Sequence, residues 1–176
     1  MVSYKRAEDD NELQQILNIQ RKALKTNVSL EEQKEQGYVT VPHTFAILKK
    51  MNDAYPHIIA MEDKKVIGYA LTMIHSFRYE MPILTPMFDI ADGLYPNKNY
   101  LVMGQICIDK PYRGKGIFKG LYSYYRDELS SQFKCLITEV ATLNTRSLNA
   151  HKAVGFKILE NHASEDVSWE IISWEW

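Results

Sequence analysis

The sequence predicts one mixed α/β domain over residues 1–176. Two observations carry that expectation. Segments with apolar residues three and four apart alternate with short apolar runs of strand length. Their order reads β-α-α, hairpin, strand, helix, strand, helix, two strands, with no internal repeat and no low-complexity tract. A chain of 176 residues has room for a real core.

The elements follow in order. "VSYKRA" is a short first strand. "DDNELQQILNIQRKALK" reads as a helix, because Leu13, Ile16, Leu17 and Ile19 or Gln20 form one stripe behind acidic residues. "SLEEQKEQG" is a second helical piece, with Ser29 as N-cap, Glu32 at capping-box spacing and Gly37 as its end. Residues 38–56 fit a short helix or an arm equally well. "HIIAMEDKKVIGYALTMI" is a hairpin: two apolar runs around a charged turn. Residues 77–99 hold three prolines and a glycine and read as a long irregular stretch, a common place for function. "YLVMGQICI" is a strand with Gly104 as a bulge. Ile117, Leu121, Tyr125 and Leu129 then mark a helix, "KCLITEVAT" a strand, and "NTRSLNAHKAVG" a short helix between Asn144 and Gly155. "FKILENHA" and "VSWEIISWEW" close the chain as strands.

Composition narrows the function. Hydrophobic residues make up 45% and charged residues 24%, with a formal net charge of -1. No basic excess attracts nucleic acid, so none is expected as a partner. Cys107 and Cys135 each sit in an apolar run, which reads as two buried thiols. The five histidines show no close pair at ligand spacing, so no metal is expected. No apolar run approaches the ~18 residues of a membrane span, and the amino terminus lacks the apolar core of a signal peptide. A cytoplasmic protein with no membrane partner is the expectation.

One stretch departs from ordinary punctuation. In "IDKPYRGKGIFKGL", two glycines and two cations stand where a strand becomes a helix. A helix N-terminus offers unpaired N–H groups and a positive dipole end, which suit phosphate. Glycines let that backbone approach the ligand. The P-loop ending is absent, since Gly116 follows Lys115. The dinucleotide fingerprint fails by one place, at Gly120. Alone, the stretch fits a tight turn with solvated cations as well as a phosphate site.

A second stretch lies one strand downstream. Together "PYRGKGIFKGL" and "TEVATLNTRSLNAHKAVGF" resemble the GNAT superfamily of acyl-CoA-dependent N-acyltransferases. The first signature, Arg/Gln-x-x-Gly-x-Gly/Ala, falls on Arg113, Gly116 and Phe118. The second is Asn144 at the head of a short helix that ends in Gly155-Phe156. The resemblance covers residues 100–160 by motif and the remainder by element order.

That resemblance implies a three-layer fold: a twisted mixed sheet, splayed between its fourth and fifth strands, with flanking helices. It implies acetyl-CoA as cosubstrate and an amine of a small molecule or peptide as acceptor. The diphosphate would meet the backbone of Arg113, Gly114, Lys115, Gly116, Ile117 and Phe118. The pantetheine arm would pair with Ile106, Cys107 and Ile108 and touch Asn144. A homodimer is common in the superfamily. Glu139, five residues before Asn144, would be the base, with a structural carboxylate as the alternative. His151, seven residues after Asn144, stands where the family often has a Tyr that protonates the departing thiolate. With an ordinary pKa near ~6.5 it could replace that Tyr, or be a histidine unrelated to catalysis. Phe118 replaces the usual Gly or Ala, and its ring either points away or narrows the site. Gln105, Glu80 and Asp89 are weaker acceptor-side candidates. Phe77, Tyr79, Met81, Met87 and Phe88 either wall the acceptor site or, the reading favoured for any one of them, cover the sheet or make a dimer contact. A CoA-binding regulatory module without catalysis is the alternative function. A longer acyl chain or a hydroxyl acceptor is a third reading.

Overall fold

The structure is a computed structural model and describes residues 1–164 and 166–176. The chain runs β1 (Val2–Arg6), α1 (Asp10–Ala23), α2 (Leu30–Gln36), α3 (Phe45–Ala54), β2 (Ile58–Glu62), β3 (Lys65–Met73) and α4 (Thr85–Leu94). It continues through β4 (Tyr100–Ile108), α5 (Ile117–Leu129), β5 (Cys135–Ala141), α6 (Thr145–Val154), β6 (Lys157–Ser164) and β7 (Val167–Glu175). The mixed α/β expectation holds. Seven strands form one sheet in the order β1-β2-β3-β4-β5-β7-β6. Every pairing is antiparallel except β4 with β5.

Helices cover both faces, giving three layers. On one face Leu13 and Ile16 of α1, Leu48 and Met51 of α3 and Phe88 of α4 meet Tyr69, Leu71 and Ile137 of the sheet. On the other, Ile117, Leu121, Tyr122, Tyr125 and Leu129 of α5 meet Ile58, Leu101 and Leu136. The stripe expected on α5 is therefore its buried face. Gly120 permits this approach: a Cβ there would come within 1.9 Å of the Tyr4 hydroxyl on β1. The glycine that spoils a dinucleotide fingerprint serves helix packing.

The caps follow the sequence. Ser29 Oγ accepts from Glu32 N at 3.2 Å, and Asn144 Oδ1 accepts from Ser147 N at 3.3 Å. Residues 38–56 resolve into an arm, 38–43, and then α3, whose cap is Thr44. The expectation of irregular chain over 77–99 needs correction. Two 3-10 turns, His75–Tyr79 and Pro82–Leu84, lead into α4. Pro86 lies in the first turn of α4, where its missing N–H removes no intrahelical bond. Proline spacing that reads as loop is here a helix start. The bulge expected at Gly104 is present, as the β3–β4 register shifts between the Ala70–Ile106 and Thr72–Met103 pairs.

Candidate functional site

The site begins where a ladder stops. β4 and β5 pair only at Tyr100–Cys135, Leu101–Leu136 and Val102–Ile137. Beyond that the strands diverge, leaving Met103–Ile108 facing Thr138–Ala141 across a gap. Strand alternation says which groups face it. Asp109 N donates to Ile67 O at 2.9 Å, so 67–109 is a hydrogen-bonded pair and 69–107 the next. Ile106 and Ile108 therefore turn their backbone groups away from β3, toward the gap. The Ile108 carbonyl is taken by Arg113 Nε at 3.1 Å.

On one side the gap opens into a cleft of about 260 Å³. Of the residues expected to hold the cofactor, all but Lys115 and Asn144 line it. Gly114 and Gly116 adopt φ of +75° and +79°, the left-handed region that glycine enters freely. A Cβ on either would meet no atom within 4 Å, so the backbone lies open to the cleft. α5 has no side-chain cap. Among the described residues, no partner takes the N–H groups of Gly114 through Lys119, since Gly120 makes the first bond back, to Gly116. Lys115 is exposed, with its ammonium 5.1 Å from the Tyr112 ring centroid. Phe118 packs edge-on against Tyr122 and His151, both at 5.2 Å between centroids. Its ring is thus held by neighbouring aromatics beside the cleft.

On the other side a smaller cleft of about 80 Å³ collects Gln105, Ile106, Glu139, Asn144, Ser147 and His151. The two candidate catalytic residues and Asn144, far apart on different elements, do come together here. Glu139 is nearly buried, and burial pushes its carboxyl above the usual range. Its Oε2 accepts from His162 Nε2 at 2.9 Å. The fold makes this pair: β7 separates β5 from β6, and side chains of the outer strands meet across it.

His151 is buried among Phe118, Tyr122 and Phe156. Burial pushes its pKa down to about 4, so the ring is neutral near pH 7. Nδ1 lies 2.8 Å from the Ser147 carbonyl, which can only accept. Nδ1 therefore carries the proton and Nε2 is a buried lone pair without a partner. An imidazolium donor in place of Tyr requires a charge that this surrounding disfavours. The same tautomer prevents Nδ1 from taking a proton from Ser147 Oγ, 3.3 Å away.

The arm between α2 and α3 crosses the gap. Asn144 Nδ2 donates to Tyr38 O at 3.0 Å, and Gln105 Nε2 donates to Val41 O at 2.8 Å. Tyr38 and Val39 line both clefts and so divide them. Gln105 is held at both ends of its amide, as its Oε1 accepts from Tyr69 at 2.7 Å and from Gln20 at 2.9 Å. It anchors the arm. Glu80 pairs with Lys50 and Asp89 with Arg78, so neither faces the cleft as a free carboxylate. Phe77, Met87 and Phe88 are core. That is the sheet-covering alternative, and Ile83, Leu84 and Trp169 line the smaller cleft instead.

His162, Arg146 and Ser147 were not legible as site residues. Arg146 lines the larger cleft from α6, opposite Arg113. Its signal lay in "NTRSLN", in the first turn of the helix capped by Asn144. His162 had no signal, because its strand position relative to Glu139 depends on β7 lying between.

Comparison with known proteins fits this geometry. Among curated proteins none matches by sequence. Solved structures match over nearly the whole chain at low identity, which shows a shared fold. The ribosomal-protein-S18-alanine N-acetyltransferase of Escherichia coli is 15% identical, with TM-score 0.67, covering 99% of this chain and 94% of that one. An N-acetyltransferase of Staphylococcus aureus Mu50 is 18% identical, with TM-score 0.67 and coverage of 99% and 98%. A phosphinothricin acetyltransferase of Sinorhizobium meliloti, in complex with AcCoA, is 18% identical, with TM-score 0.64 and coverage of 99% and 88%. The acetyltransferase (GNAT) family matches residues 14–156, and the chain belongs to that family.

Proposed function

We propose that the protein is an N-acetyltransferase that moves the acetyl group of acetyl-CoA to a primary amine by direct attack. One observation carries the reading: the β4–β5 gap is flanked by an uncapped helix N-terminus on one side and a buried carboxylate on the other.

The residues fit an acyl-CoA. The open backbone at Gly114–Phe118 offers N–H groups to a diphosphate, and Arg146 adds positive charge to the same cleft beside Arg113, which pairs with Glu32 at 3.7 Å. Ile106 and the Ile108 N–H present unpaired ladder groups that an amide-bearing arm satisfies. When bound, acetyl-CoA supplies a thioester with an electrophilic acyl carbon. The Ile106 or Ile108 N–H would polarise a carbonyl there.

Glu139 is the base. Its raised pKa makes the carboxylate a better proton acceptor, and His162 Nε2–H steadies the ionised form. It takes the proton from the incoming ammonium, directly or through water. Asn144 and Ser147 border the acyl end of the gap, and His151 packs against Phe118, behind the cofactor helix. Direct attack is favoured over an acyl-enzyme because Cys107, the thiol of the larger cleft, is buried and pushed up to about 11.

The test is amine-dependent release of CoA thiol from acetyl-CoA. A ternary complex predicts intersecting double-reciprocal lines. Parallel lines, or thiol release that ignores added amines, contradict the proposal.

A further inference from the structure

The smaller cleft also bears on which amine is accepted, a point that rests on the transferase reading above. Glu139 is its single acidic side chain, and among the described residues no lysine or arginine lines it. Its other walls are uncharged: apolar Ile83 and Leu84 ahead of α4, Met103 on β4, Val140 on β5 and Trp169 on β7 share the lining with polar Thr40, Thr138, Asn144 and Ser147. Ile83 is 40% exposed, so the apolar part of the wall reaches the surface. Carboxylates on the neighbouring segment are committed, Glu80 to Lys50 and both Asp89 and Asp92 to Arg78.

We propose that the acceptor is a primary amine on an uncharged, apolar body, with Glu139 receiving the ammonium and Ile83, Met103 and Trp169 receiving the body. A free carboxylate next to the amine would lose water and meet no cation. A second ammonium, as in a polyamine, would be pressed against Ile83 and Trp169 with no free carboxylate in the lining. Sites discriminate strongly when the wrong ligand leaves a charge unpaired. An arylalkylamine and the amino end of an apolar peptide share the required chemistry.

Four probes test this with acetyl-CoA: 2-phenylethylamine, L-phenylalanine, spermidine and a peptide amide beginning with phenylalanine. The expected result is a kcat/KM for 2-phenylethylamine or the peptide amide at least about 50-fold above the other two. Whichever of the favoured pair leads separates a small amine from a peptide end. Phenylalanine or spermidine matching them overturns the proposal. The same probes are titrated calorimetrically into the protein saturated with CoA. Selective binding of the uncharged-bodied amines without transfer upholds the proposal while refuting the transferase reading. Binding by neither overturns it. Ile83→Glu, at an exposed position, is expected to shift the spermidine to 2-phenylethylamine ratio of kcat/KM by about 10-fold toward spermidine. An unchanged ratio counts against the cleft as the body's site.

Discussion

On the cofactor side of the gap, one stretch from Ile106 to Phe118 supplies most of the wall. On the acceptor side the walls arrive from the 38–41 arm, the turn at Ile83, β4, β5, α6 and β7. The first side works through backbone: an open helix start and two glycines at positive φ. The second works through side chains that only the finished fold assembles. Backbone recognition is local and can be kept while the sequence around it drifts. Side-chain recognition is where one family member differs from another.

Perturbations should separate the two sides, and the largest expected effect is one they share. His43 ends the arm against Gln20, His57 lies in the core and His151 behind α5. Burial holds their pKa values at about 4, about 3 and about 4. Folded values below the unfolded ones mean full stability above about pH 6.5. Stability is then lost as pH falls toward the folded values, because the unfolded chain binds protons that the folded one refuses. The loss should reach roughly 3 kcal/mol per ring near pH 4. Urea midpoints from pH 7 down to pH 4.5 check this, and a flat profile contradicts it.

Glu139→Gln should divide the two sides most sharply. It is expected to lower kcat about 10²–10³-fold while acetyl-CoA affinity stays within about twofold. Equal losses in both would erase the distinction. Gln105→Leu should follow. It strips partners from the Tyr69 hydroxyl, the Gln20 amide and the Val41 carbonyl, at a cost of about 2–3 kcal/mol. The arm loosens, and because its Tyr38 and Val39 line both clefts, KM for the amine should rise and the acetyl-CoA Kd should weaken by a smaller factor. Asn144→Ala should be smallest, about 1 kcal/mol, through loss of the α6 cap and the Tyr38 tether. Denaturant unfolding measures both.

The same division decided what the sequence could show. Ser29, Asn144 and Gly155 were readable because caps are local chemistry. The α5 stripe was readable because its period is short. The 113–118 turn announced itself through glycines whose φ values need them. By contrast, α4 hid behind prolines that occupy its entry. The Glu139–His162 pair joins residues 23 apart through a third strand. His151 illustrates the limit most plainly. Its place matched a family position, but its protonation depends on Phe118, Tyr122 and Phe156, which the spacing of a motif does not reveal.

The central claim is that the open backbone at Gly114–Phe118 holds an acyl-CoA in the β4–β5 gap. Titration calorimetry of acetyl-CoA against wild type and Gly116→Val tests it most directly. A β-branched side chain strains the left-handed φ and fills the open cradle. The account predicts saturable binding to wild type and a Kd about 100-fold weaker in the variant, roughly 2.7 kcal/mol. No binding to wild type, or equal affinity in the two, would contradict it.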